Sequence, residues 1–154
     1  MQVQQLFTEE EWVLVTDAPM HAAMGITALD PGVVSAAKEF VTTIKTLSSA
    51  GKRYPDNGLI CAIAEGDRGD EGEDADEDVE DQERLTVEEI LARVGTAASI
   101  VETKVPGDAV GYKQLVLEAA EKAANASGGF LGFGDKVSSD EAKYLDQLRN
   151  ALRM

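Results

Sequence analysis

Asp74, Asp76 and Asp78 alternate along the chain as the first three ligands of an EF-hand calcium loop do, offering the oxygen donors that hard divalent cations prefer. The match ends there. Val79 stands where the loop's sharp turn needs glycine, and Leu85 where a bidentate glutamate would close the coordination sphere. A solvated charge run is the simpler account, and calcium or magnesium held there would bind weakly and exchange freely. The one histidine, His21, follows Asp17 by one helical turn. Such a pair can act as a general base, but no nucleophile occupies a matching helical position. A surface histidine, or one that satisfies a helix kink, is the plainer reading. No catalytic residue is assigned, and the chain is not read as an enzyme. Cys61 lies in an apolar run without a second cysteine, which predicts a buried, reduced thiol.

The run Gly128-Gly129-Phe130-Leu131-Gly132-Phe133-Gly134-Asp135-Lys136-Val137 invites comparison with phosphate-binding loops. A P-loop requires a Gly-Lys pair followed by a hydroxyl residue; here Asp135 follows Gly134, and Val137 follows Lys136. A dinucleotide fold needs a preceding strand, and this run reads as the link between two helices. No nucleotide cofactor is expected. Phe130, Leu131 and Phe133 are too apolar to be left in water. They are expected to fold back and plug the core between the flanking helices; the alternative is a surface that a partner covers.

These candidates need a scaffold. At 154 residues with 44% hydrophobic content, the chain has material for one packed domain, 1–154. Its formal charge of -15 and pI near 4.3 disfavour nucleic acid and anionic membranes as partners, because phosphate contact requires Lys and Arg. Much of that charge is local. Gly66 to Arg84 holds 11 acids and 2 bases, a balance of -9, leaving -15 + 9 = -6 for the rest. With almost no apolar residue, this stretch is expected to interrupt the domain as a flexible acidic loop. The first residues have no basic region, and no apolar run reaches membrane-spanning length, so a cytoplasmic protein with no membrane span is expected.

The remaining sequence predicts helices throughout. Thr8-x-x-Glu11, Thr86-x-x-Glu89 and Ser138-x-x-Glu141 are capping boxes, in which hydroxyl and carboxylate each satisfy a free backbone N–H. Phe7 with Trp12, and Leu85 with Ile90, are placed to staple the first two. Trp12, Val15, Pro19, Ala22 and Ile26 share one helical face, with a kink or a break expected at Pro19. A second helix is expected from Asp30-Pro31 to about Ser49, ended by Gly51. A short one covers about Leu59 to Ala64, although its β-branched residues would also suit a strand. Ile90, Val94, Ala97 and Val101 mark a fourth, ending near Pro106-Gly107. Tyr112, Val116, Ala119 and Ala123 mark a fifth, and Ala142, Leu145, Leu148 and Leu152 the last. Tyr54, Tyr144, Met20 and Met24 read as core residues. The fold class is therefore an all-α bundle of about five to seven helices.

Two acidic turns between helices, at Ala28-Leu29-Asp30-Pro31-Gly32 and at Gly132-Phe133-Gly134-Asp135, give the chain a resemblance to the TerB-like all-helical family. That family is named for tellurite-resistance proteins and also occurs in a membrane-anchored DnaJ relative. The glycine run followed by Val137-Ser138-x-x-Glu141 is similar to small bacterial helical proteins of the same general type. The resemblance implies a helical bundle, an association with stress, and divalent metal ions held by acids of the turns, here Asp30 and Asp135.

The function expected from the sequence is a non-catalytic interaction or adaptor module of a bacterial or archaeal cytoplasm, with a protein partner that the sequence does not name. The alternative is a divalent-cation-binding protein that uses Asp30 and Asp135, or Asp74, Asp76 and Asp78. A high-salt host would favour the same acidity without any local role.

Overall fold

The structure is a computed structural model that describes residues 2–29, 36–68, 85–128 and 139–154. A 3-10 turn, Val3–Leu6, precedes six α-helices: α1 (Glu9–Leu29), α2 (Ala36–Arg53), α3 (Gly58–Arg68), α4 (Val87–Lys104), α5 (Ala109–Gly128) and α6 (Ser139–Leu152). There is no strand among the described residues, so the ambiguous segment around Ile60 is helical.

The first two capping boxes form as the sequence requires. At α1, the Thr8 N–H donates to Glu11 at 2.8 Å and the Glu11 N–H to the Thr8 hydroxyl at 3.2 Å. At α4, Thr86 and Glu89 repeat the exchange at 3.1 and 3.2 Å. Phe7 and Trp12 meet with ring centroids 5.6 Å apart, closing the staple over the start of α1. Leu85 packs against the core beside buried Ile90. Ser138 lies outside the described residues.

Helix α1 runs through Pro19 as one element of 21 residues, so of the kink or break expected there the break does not occur. Proline removes the N–H that would meet the carbonyl four residues earlier, that of Val15, and its ring crowds that carbonyl outward. The Tyr112 hydroxyl, from α5, donates to this same oxygen at 2.7 Å. A second helix therefore supplies the donor that this carbonyl lacks.

Helix α1 lies at the centre, packed most extensively on α5 and α4. The Tyr112–Val15 contact near the starts of α1 and α5 sets these helices side by side in the same direction. Lys104, the last residue of α4, pairs with Glu11 in the first turn of α1, so α4 runs the other way. Val15, Ala22, Ile26, Val94, Ala97, Val101, Tyr112, Val116, Ala123 and Leu148 belong to one buried cluster. Leu47, Ala50, Ile60 and Leu115 form a smaller one, with Met20 and Tyr54 half-buried against it.

Three helix boundaries and one face differ from the sequence reading. Gly51 lies inside α2 rather than ending it, and an added Cβ would come 3.4 Å from that of Ala64, an ordinary contact. Helix α2 ends at Arg53 because Tyr54 precedes Pro55, and proline disfavours helical backbone in the residue before it. Helix α3 begins at Gly58 with two caps: Asn57 accepts from the Ile60 N–H at 2.9 Å, and Asp108 from the Leu59 N–H at 3.0 Å. It continues to Arg68, so the first residues of the expected acidic loop are helical. In α6, Ala142 is exposed, and Glu141, Tyr144, Leu145, Leu148 and Leu152 form the inward face.

Candidate functional site

Most candidates named from the sequence fall in segments outside the described residues. These are the metal candidates Asp30, Asp74, Asp76, Asp78 and Asp135, and the interaction candidates Phe130, Leu131 and Phe133. The helices that flank two of these segments are described. The Tyr144 hydroxyl donates to the Ala22 carbonyl at 2.7 Å, and Arg149 reaches Glu121 at 3.1 Å, so α6 runs opposite to α1 and α5. Leu29, Gly128 and Ser139, the helix ends next to Asp30 and to the glycine run, therefore belong to the same end of the bundle. Among the described residues, no group of three or more His, Cys, Asp or Glu side chains is gathered to hold a metal ion.

His21 sits on α1 with Nδ1 buried and without a hydrogen-bond partner, so it does not satisfy the backbone around Pro19. Burial holds the imidazole below its ordinary pKa; Asp17 on α1 opposes this, and Arg93 on α4 adds to the lowering. This environment keeps His21 neutral. Cys61 is half-buried rather than fully enclosed. Its Sγ lies 3.6 Å from the Tyr54 carbonyl, 3.8 Å from that of Pro55 and 3.9 Å from that of Gly51.

The basic side chains have a clear disposition. Arg53 pairs with Glu118, Lys113 with Glu102, Lys104 with Glu11 and Arg149 with Glu121, each pair joining two different elements. Lys122 adds to Glu118 at 3.2 Å and Arg153 to Glu102 at 3.4 Å. Lys104 and Lys113 hold the carboxyls of Glu11 and Glu102, respectively, below the usual range. Exposed Glu9, Glu10, Asp56, Glu65 and Glu88 have no such partner among the described residues. Six cations are thus engaged in ion pairs, while exposed Lys45, Lys52 and Lys143, like these acids, have no such partner among the described residues. Sequence reading missed these pairs because partners such as Arg53 and Glu118 are 65 residues apart.

No helix among the described residues is long and apolar enough to cross a membrane. No family model, curated protein or solved structure matches the chain.

Proposed function

We propose that the chain is a non-catalytic helical interaction module of the TerB-like type, acting in a bacterial or archaeal cytoplasm through protein contacts. One observation carries this reading: six described cations are engaged in ion pairs, whereas the exposed carboxylates of Glu9, Glu10, Asp56, Glu65 and Glu88 are not, so the surface keeps an acidic excess. Such a surface steers basic partners and repels polyanions. The segment with Phe130, Leu131 and Phe133 supplies the apolar anchor, since buried aromatics dominate interface energies.

Affinity capture with the parent and with a Phe130→Ala/Phe133→Ala variant tests the proposal. The variant should keep the parent's unfolding midpoint and lose the captured protein. A loss of stability of about 3–5 kcal/mol per ring would instead make these side chains core. The competing reading is divalent-cation binding through Asp30 and Asp135, or through Asp74, Asp76 and Asp78. Calorimetric titration with calcium, magnesium and zinc separates the two. The interaction reading expects weak binding that falls steeply with added salt. Tight one-to-one binding insensitive to salt would favour the cation reading.

A further inference from the structure

Lys104 closes α4 and reaches out of the helix toward the segment that precedes α1. Its Nζ lies 2.7 Å from Glu11 Oε2 and donates to the Leu6 carbonyl at 2.9 Å. It also sits 5.8 Å from the centroid of the Phe7 ring. An ammonium has three donors; two are used on oxygen, and the charge also lies over an aromatic face. The end of α4 is a favourable place for a cation, where unpaired carbonyls concentrate negative potential. One amine thus ties together α4, the first turn of α1 and residues 2–7.

Beyond Lys104, two apolar side chains, Val3 and Phe7, hold residues 2–7. Gln2, Gln4, Gln5 and Leu6 are exposed, Val3 is half-buried against the core beside Gly58, and Phe7 is buried. The segment's backbone bonding is short-range, within the 3-10 turn and from the Gln5 N–H to Gln2 at 3.0 Å and the Phe7 N–H to Gln4 at 3.1 Å. A segment with few apolar contacts and local hydrogen bonds opens at far lower cost than the core beneath it. Glu11 keeps its bond from the Thr8 N–H whether Lys104 is present or not, so α1 does not depend on the amine.

We infer that residues 2–7 form a strap that opens as a unit, and that the charge of Lys104 is its latch. Opening uncovers the Phe7–Trp12 pair and the side of α3 where Val3 rests. Neutralising this one amine is then enough to expose apolar surface without unfolding the bundle.

Solvent exchange of backbone amides, followed by NMR on the full chain, tests the inference. Lys104→Met keeps the aliphatic stem and removes the charge. Exchange at the Gln5 and Phe7 amides should accelerate on the order of tenfold to a hundredfold, the loss expected for charge-assisted hydrogen bonds. Amides of α5 such as Val116 should stay within about twofold of the parent, as distant contacts add independently. Fluorescence of Trp12, the one tryptophan, should shift to longer wavelength. Lys113→Met, which breaks a comparable surface pair away from the strap, should leave Gln5 and Phe7 unchanged. In the parent alone, exchange at Gln5 and Phe7 should depend on low concentrations of urea, but less steeply than exchange in α5, because opening the strap exposes less surface than unfolding the bundle. Unaltered Gln5 and Phe7 exchange in Lys104→Met, an equal loss of protection in α5, or strap exchange in the parent that is independent of urea would each overturn the inference.

Discussion

The hydroxyl of Tyr112 donates at 2.7 Å to the carbonyl of Val15, the backbone oxygen that Pro19 deprives of its helical donor. Tyr112 is fully buried, and burial raises its pKa far above the ordinary value, so it remains a donor across the physiological range.

Tyr112→Phe should destabilise the bundle by about 1–3 kcal/mol, the cost of leaving a buried carbonyl unsatisfied. Pro19→Ala restores a backbone N–H for Val15. In that background the same Tyr112→Phe change should cost much less, because the carbonyl has an alternative donor. Urea denaturation of the four proteins in this double-mutant cycle measures the coupling. Equal costs in both backgrounds would show that the hydroxyl does not compensate for the proline.

A second tyrosine rests on the same helix. A Cβ at Gly25 would collide with the ring and hydroxyl of Tyr144, whose Oη donates to the Ala22 carbonyl. Helix propensity alone predicts that Gly25→Ala stabilises by up to about 1 kcal/mol. The collision should win. A net loss of about 1–3 kcal/mol is expected from overpacking a rigid ring against helix backbone, measured as a lower urea midpoint at unchanged m-value. A rise in midpoint would mean that α6 can shift away from α1.

His21 gives a pH dependence with a defined sign. Its folded pKa lies below the ordinary 6.5, chiefly through burial, so folding favours the neutral ring. The associated stability is complete above the unfolded pKa and is lost as pH falls from that value through the folded one. Comparing the parent with His21→Gln from pH 8 to pH 5 cancels the titration of the carboxylates common to both. The parent should lose stability relative to the variant as pH falls. A parent that gains relative stability on acidification would show that Asp17 outweighs burial and Arg93.

The acidic stretch after α3 should be dispensable for folding. Because α3 extends to Arg68, deletion of Asp70 to Asp81 spares the helix. Loop closure changes by only about 0.6 kcal/mol per doubling of length. Removing carboxylates of one sign also relieves repulsion. Circular dichroism should show the same helical signal per retained residue of α1–α6, with a cooperative transition. Loss of that transition would make the stretch structural.

Local order in this protein was legible in the sequence. The Thr8–Glu11 and Thr86–Glu89 boxes, the Phe7–Trp12 staple and the buried faces of α4 and α5 depend on residues a few positions apart. Their geometry follows from helical periodicity and short-range hydrogen bonding. Long-range compensation was not legible. The Val15 carbonyl that Pro19 leaves without its helical donor is met by a hydroxyl 97 residues away. The second cap of α3 comes from Asp108, and the donor to the Leu6 carbonyl is Lys104, 98 residues on. Periodicity narrowed α6 to its inner face but did not separate Ala142 from Tyr144, because both are compatible with a helix and only the space left beside Gly25 selects the ring. The candidate acids and aromatics were legible as residue types alone. Sequence spacing determined which segments become helices, since that choice is local; the tertiary structure decided which unsatisfied backbone groups and which charges meet, since those partners are brought together only when the helices pack.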